Sequence, residues 1–114
     1  MAQTEYYSYQ ENQEFGKIKM SLQVFDVITK LTLLEIKEIS VDFPHGIFSY
    51  GKGPLQCKID DTSLKIEIEL KVNYGENVTK ISKLVQRKVT DAIKRMTDVK
   101  VNHVNVKVIG IEFV

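Results

Sequence analysis

Residues 56–74, QCKIDDTSLKIEIELKVNY, carry the clearest pattern in the chain and decide the predicted fold. From Leu64 to Tyr74 every second residue is apolar, and the residues between them are lysine, glutamate or asparagine. Because strand side chains alternate between the two faces of a sheet, this pattern predicts a long strand with one buried and one solvated face. The segment DDTS, residues 60–63, has turn composition, so a hairpin with a shorter strand ending at Ile59 is expected.

A helix is predicted directly after this strand. Gly75 interrupts the alternation, Asn77 is a suitable N-terminal cap, and the helical pattern continues to about Met96. Apolar residues follow one face of this helix, and cationic residues follow the opposite face with Asp91 among them. The predicted core face is Val78, Ile81, Val85, Val89, Ala92 and Met96, and the cationic face is Lys80, Lys83, Arg87 and Lys94. One apolar residue, Leu84, falls near the cationic side.

A final strand is expected after the helix, and the parity of its apolar residues changes twice. Val99 and Val101 share one parity, whereas the three valines that follow share the other, so a turn or bulge is predicted near Asn102 and His103. The second change occurs at Gly110. The terminal segment GIEFV is therefore expected either to continue the strand on its other face or to reach a neighbouring molecule.

The residues upstream predict one further strand and one further helix. FGKIKM, residues 15–20, alternates and predicts a short strand. Ser21 supplies a capping hydroxyl for a helix of about four turns, which we expect to face the core along most of its length. Its apolar residues recur at steps of three and four: Leu22, Phe25, Val27, Ile28, Leu31, Leu34 and Ile36. Residues 39–54 predict an irregular connection with room for a short strand at 39–43.

Together these elements predict an α+β fold. Two helices lie on one face of a small mixed β-sheet, in the order β-α-(loop)-β-β-α-β. A length of 114 residues suits one domain. The polar residues 1–14 lack a burial pattern and predict a flexible N-terminal arm, which leaves 15–114 as a single domain.

Composition limits the function classes. Sixteen basic and fifteen acidic residues give a net charge of +1 and a pI of about 7.8, below the pI of roughly 9 that marks a dedicated nucleic-acid module. One cysteine excludes an internal disulfide framework and favours a reducing compartment, so the cytoplasm is expected. A secretory signal and an apolar stretch of about 18 residues are both missing, which argues against export and membrane insertion.

The C-terminal half resembles the alkaline-shock, or envelope stress response, protein family of Gram-positive bacteria. The matching residues are Tyr74, Gly75, Gln86, Val89, Val104, Val106 and Val108, together with the helix end at Met96 and Thr97 and with Val101. Upstream, GKIKMSLQVFDVITKLTLLEIKEI, residues 16–39, is similar to the opening strand and first helix of that family. The chain departs from the family after the first helix, where ISVDFPHGIFSYG replaces a segment that is often rich in glycine and valine.

The resemblance implies a non-enzymatic cytoplasmic protein that serves cell-envelope homeostasis and the response to alkaline or wall stress. It also implies protein partners, among them a small membrane-anchored protein that would hold the chain at the inner membrane face, and self-assembly into a homo-oligomer. The sequence itself specifies neither the partner nor the oligomeric state.

Two surfaces are candidates for partner binding. The cationic face, Lys80, Lys83, Arg87 and Lys94, is either a solvated helix face or a surface for acidic partners. The second candidate is the apolar end of the chain, with Ile111 and Phe113. Direct membrane binding by the helix is disfavoured, because its aliphatic residues are needed to cover the sheet and no aromatic anchor accompanies them.

The search for catalytic residues gives only a weak candidate. Glu67 and Glu69 lie on one side of their strand about 7 Å apart, a spacing close to that of the carboxylates in inverting glycosidases. Lys65 and Lys71 flank them on the same face, which favours ordinary ion pairs between strands. No catalytic site is therefore predicted.

Metal and cofactor sites are not predicted either. His45 and His103 are far apart in sequence, and neither has a neighbouring cysteine or histidine. Cys57 has the parity of a core residue and is expected to be an inert buried thiol. The segment YGEN, residues 74–77, has a single glycine and an acidic residue where a phosphate would bind.

The sequence thus favours a non-enzymatic binding or scaffold protein of the envelope stress class that acts through protein contacts. The alternative is a small RNA-binding module that uses the basic face of the second predicted helix, although a GXXG loop and an array of aromatic residues on the sheet are both missing.

Overall fold

The computed structural model describes residues 22–44, 46–47, 53–60 and 63–113, and it confirms the α+β fold. The elements are α1 (Leu22–Leu34), β1 (Ile39–Ser40), β2 (Leu55–Asp60), β3 (Ser63–Asn73), α2 (Val78–Thr97) and β4 (His103–Glu112). The two helices cover one face of a mixed four-stranded sheet. The strand predicted at 15–20, the cap at Ser21 and the arm at 1–14 lie outside the described residues. The division into arm and domain stays a prediction.

Strand β3 is the centre of the sheet. β2 pairs antiparallel with its first half and β1 with Val72 and Lys71, so these two strands share one of its edges. β4 runs parallel to β3 along the other edge. The predicted alternation is confirmed, since the apolar residues of β3 are all buried: Leu64, Ile66, Ile68, Leu70 and Val72. The short strand expected at 39–43 is confined to two residues.

The turn between β3 and α2 has the predicted chemistry. Gly75 has a φ angle of +94°, a backbone conformation that side-chain-bearing residues rarely adopt. The Asn77 side chain then accepts a hydrogen bond of 3.0 Å from the backbone N–H of Lys80. This bond satisfies one of the N–H groups that the first turn of a helix leaves without an intrahelical partner.

We expect Gly75→Ala to lower the free energy of unfolding by about 1–2 kcal/mol, the usual cost of a left-handed backbone for an L-residue. Apart from its two neighbours in the chain, the added Cβ would have no atom of the described residues within 4 Å, so the cost comes from the backbone alone. Urea unfolding measures the loss. Gly110→Ala is the matched control, because its Cβ would make only an ordinary contact of 3.7 Å with the Lys71 side chain. Equal losses in the two variants would contradict the assignment.

The predicted core face of α2 is correct in the middle of the helix and wrong at its ends. The buried residues are Ile81, Val85, Val89, Ala92 and Ile93. Val78 and Met96 are exposed, and Ile93 replaces them in the core. Helical periodicity gives the direction of a side chain around the axis but not whether another element lies opposite it. Leu84 is half-buried and packs against the core.

Helix α1 departs further from its predicted pattern. Phe25, Ile28 and Leu33 are buried, whereas Leu31 and Leu34, which were expected in the core, are exposed. Their places are taken by three polar residues that are fully buried: Asp26, Thr29 and Lys30. The Thr29 hydroxyl donates to the Phe25 carbonyl, and the Lys30 ammonium lies 2.9 Å from Asp26 Oδ2. Asp26 Oδ1 is buried without a hydrogen-bond partner among the described residues, so the carboxylate is held by the ion pair alone.

Both predicted changes of parity in β4 are observed. Asn102 restarts the register: its side-chain oxygen accepts a 2.9 Å hydrogen bond from the Leu64 N–H, and its own N–H donates to the Leu64 carbonyl. The second change is a β-bulge, because Val108 pairs with Leu70 whereas Gly110 pairs with Lys71. Ile109 is the extra residue.

The bulge determines on which face of the sheet the last residues of β4 lie. Since Ile111 pairs with Val72, a core residue, the extra residue returns Ile111 to the face of the sheet that the helices cover. The strand thus continues beyond Gly110, as the first alternative for GIEFV expected, but on the same face as before and not on the other face. Contact of this segment with a neighbouring molecule stays a prediction.

Candidate functional site

An exposed apolar surface lies where β4 ends, and we call Tyr74, Ile111 and Phe113 the end patch. The ring of Tyr74 stacks on that of Phe113, with centroids 5.2 Å apart and ring planes 30° from parallel. A hydrogen bond of 2.8 Å from the Tyr74 N–H to the Glu112 carbonyl aligns the two segments. The aromatic side chains are 71% and 75% exposed, and Ile111 is 43% exposed. The end patch therefore extends the core face of the sheet into solvent.

The side chains of the predicted cationic face, Lys80, Lys83, Arg87 and Lys94, are all exposed on α2. Two further exposed cations of the same helix, Lys88 and Arg95, were not assigned to the predicted cationic face, because they lie to one side of the stripe opposite the core. Among the described residues, Lys94 is the only α2 cation in an ion pair, with Asp98 at 3.2 Å. The sheet differs, since Lys58 pairs with Glu67 on its solvated face.

Charge is distributed unevenly between α2 and the rest of the chain. α2 contains six lysines or arginines and one aspartate, so it carries +5. Because the whole chain carries +1, all other residues together carry −4. The near-neutral total that the sequence shows conceals a strongly cationic helix.

The residues that carried the family resemblance hold α2 against β4. The Gln86 side-chain N–H donates a 2.9 Å hydrogen bond to the Val104 carbonyl. Val89 is fully buried, Val104 is buried, and Val106 and Val108 pack against the core from β4. Gly75 forms the turn before α2, so of the residues discussed here only Tyr74, in the end patch, is without a structural role.

A buried ion pair is the feature that sequence reasoning missed. Asp26 and Lys30 are each 1% exposed, and the Lys30 ammonium lies 2.9 Å from a carboxylate oxygen of Asp26. Lys30 also donates a hydrogen bond of 3.1 Å to the Ile47 carbonyl and lies 5.5 Å from the centroid of the Phe43 ring. The pair therefore fastens α1 to the connection that follows β1. Burial raises the pKa of Asp26, and the bond from Lys30 opposes this shift.

Cys57 is a buried residue of β2, as predicted. The pKa of its thiol is raised to about 12, mainly by burial and also by the nearby Asp26 carboxylate, while Lys30 opposes the shift. Since the thiolate is the nucleophile and the metal ligand, these surroundings oppose both kinds of chemistry.

The remaining titratable candidates do not assemble into a site. Glu67 pairs with Lys58 across the hairpin, and Lys71 lies 3.7 Å from Glu112, which agrees with the expected ion pairs between strands. His103 is exposed at the start of β4, and His45 lies outside the described residues. In the part of the chain that is described, no three His, Cys, Asp or Glu residues form a group that could hold a metal ion. The described helices include none with the length and apolar character needed to cross a membrane.

Comparison with known proteins places these features in a family. The model of the alkaline-shock protein family, described as having a cell envelope-related function, matches residues 10–113. The chain is 24% identical over 112 residues to "Uncharacterized protein YqhY" of Bacillus subtilis strain 168, covering 90% of the chain and 82% of that protein. It is 29% identical over 104 residues to "Uncharacterized protein Spy1535" of Streptococcus pyogenes serotype M6, covering 84% and 79%. No solved structure matches.

Proposed function

The chain belongs to the alkaline-shock protein family, whose function is related to the cell envelope, and from that premise we propose that it is a non-catalytic binding protein that serves the envelope through protein contacts. The observation that carries the proposal is the end patch. Two stacked, exposed aromatic rings beside Ile111 cost free energy in water, and contiguous exposed apolar groups mark interaction sites.

The chemistry of the end patch suits a protein interface. Tyrosine and other aromatic residues are enriched among the residues that dominate binding energies, because they bury a large area at a small cost in side-chain entropy. The rings are already stacked in the unbound chain, so little ordering is needed on binding.

The proposal includes two forms of contact. One is a partner anchored in the membrane, which would hold the chain at the inner membrane face. The other is a second copy of the chain, which would form a homo-oligomer. Both contacts would use the end patch. The chain would act as a scaffold if one assembly contains subunits that bind the membrane-anchored partner and subunits that bind another copy of the chain.

Partner capture from the native cell tests the proposal, with the membranes solubilised and retained. We expect the double variant Tyr74→Ser, Phe113→Ser to lower recovery of the specific partner by about thirtyfold, since truncation of an aromatic anchor costs about 2 kcal/mol or more. Light scattering on the purified variant reports self-association in parallel.

Ile109→Ser is the matched control for this experiment. Ile109 is an exposed apolar residue on the same strand, but it borders Glu69 and Lys71 on the other face of the sheet. Its substitution should leave partner recovery unchanged. If the double variant retains both the partner and the oligomeric state of the wild type, the end patch is not the contact surface and the proposal fails.

A further inference from the structure

We propose that the outer surface of the helix pair adsorbs to bilayers of anionic phospholipid. This inference goes beyond the proposed protein contacts, and it uses a different surface from the end patch. The helix-pair surface consists of Leu31 on α1 and of Lys80, Lys83, Arg87, Lys88, Arg95 and Met96 on α2.

Apolar and cationic side chains meet along the open groove between the two helices. Leu31 on one side and Met96 on the other border the same groove as Arg87, Lys88 and Arg95. Leu31 is 46% exposed and Met96 is 65% exposed. Aliphatic groups beside cations are the combination by which peripheral helices bind the boundary between lipid headgroups and acyl chains.

The cations of this surface are available to an external anion. Lys80, Lys83, Arg87, Lys88 and Arg95 make no ion pair within the described residues, whereas Lys58 and Lys71 on the sheet are paired. Glu35 and Asp91 also border the groove and reduce its local charge. Even so, α2 carries +5 against −4 elsewhere, so an anionic membrane would orient the molecule with the helices towards it.

The position of the aliphatic residues answers the first of the two sequence-based objections to membrane contact. That objection was that the aliphatic face of α2 is needed in the core, and Ile81, Val85 and Val89 are indeed buried there. The second objection, the missing aromatic anchor, holds for this surface too, so its apolar contact with lipid comes from Leu31 and Met96. The aliphatic groups of the helix-pair surface come from α1 and from the last turn of α2. Contact with lipid therefore does not require α2 to leave the sheet.

A bilayer fits this surface better than RNA does. Proteins that follow single-stranded nucleic acid use aromatic side chains as stacking platforms for the bases. None of the seven side chains that define the helix-pair surface is aromatic. Its apolar groups are aliphatic, and these match acyl chains rather than base planes.

Vesicle flotation with the full chain tests the inference. We expect binding to phosphatidylcholine vesicles that contain phosphatidylglycerol, weak binding to vesicles of phosphatidylcholine alone, and release by salt. The triple variant Lys80→Glu, Lys83→Glu, Arg87→Glu should lower the partition coefficient by more than about 100-fold, since each charge near the surface changes it about fivefold. Leu31→Ser with Met96→Ser should lower it by about tenfold.

The control is a second triple variant with the same change of net charge, Lys58→Glu, Lys71→Glu, Lys107→Glu, on the solvated face of the sheet. Circular dichroism confirms that both variants fold. The partition coefficient of the control variant should fall by less than about fivefold. Equal losses in the two triple variants, or no flotation of the wild type at low salt, would overturn the inference. It is also overturned if single-stranded oligouridine binds more tightly than the vesicles and displaces the chain from them. The triple variant on α2 should still capture the protein partner, because its end patch is unchanged. This result distinguishes a failure of the lipid inference from a failure of the proposed protein contacts.

Discussion

Lys30→Met is expected to lower the free energy of unfolding by about 3 kcal/mol, because it leaves the buried Asp26 carboxylate without its partner. Methionine keeps most of the apolar stem of lysine, so the loss reports the charge rather than packing. The hydrogen bond that Lys30 donates to the Ile47 carbonyl is lost as well. Urea unfolding at neutral pH, where an unpaired carboxylate costs most, gives the measurement.

Two further variants serve as controls for the Lys30→Met prediction. Lys37→Met changes an exposed lysine just beyond α1 and should cost no more than about 0.5 kcal/mol. The double variant Asp26→Leu, Lys30→Met replaces the pair by apolar side chains and should recover most of the lost stability, since burial of an ion pair is itself costly. A loss in Lys30→Met no larger than that in Lys37→Met would show that the ion pair does not fasten the helix.

Phe25→Ala is expected to cost about 3–5 kcal/mol, the usual range for removal of a buried aromatic ring. Phe25 is fully buried on the face of α1 that packs into the core, so the substitution leaves a cavity there. The loss is a large part of the total stability of an ordinary domain, which is about 5–15 kcal/mol. Thermal and urea unfolding should both report it.

Leu34→Ala on the same helix distinguishes the structure from the sequence pattern. Apolar periodicity places Leu34 in the core with Phe25, whereas the structure leaves it 53% exposed. We therefore expect a change of no more than about 0.5 kcal/mol. A loss close to that of Phe25→Ala would mean that α1 is rotated from the orientation described.

The strands and α2 could be predicted because their sequence patterns are local. The alternation of β3 depends only on which face of one strand is buried, and it is visible from Leu64 to Val72 without knowledge of any partner strand. The two parity changes of β4 were equally visible, at Asn102 and Gly110. What the sequence did not provide was the face on which the strand continues after Gly110, since the change of parity alone does not show that Ile109 is an extra residue.

The buried ion pair could not be predicted, because its signal resembles an exposed one. An acid and a base four residues apart are common on solvated helix faces, and Asp26 and Lys30 have that spacing. Only the connection through Phe43 and Ile47 shows that the pair is enclosed. The contribution of Leu31 to the helix-pair surface was hidden for a related reason: its periodicity matches that of core residues, and exposure depends on where the second helix lies.

The end patch illustrates a mixed outcome. Ile111 and Phe113 were selected from the sequence as contact residues, and both are exposed in the structure. Tyr74 was assigned only to the family pattern, and its stacking on Phe113 depends on the register of β3 and β4. Their role in binding stays a proposal.

The single cysteine gives the chain a built-in reporter of its own motions. Cys57 lies under the helices with a thiol pKa of about 12, so alkylation at neutral pH requires that the core first open. The rate of iodoacetamide modification consequently measures how often the sheet and helices separate. Since the chain has no second thiol, that rate is free of competing signals, and it can be followed while the end patch or the helix-pair surface is occupied.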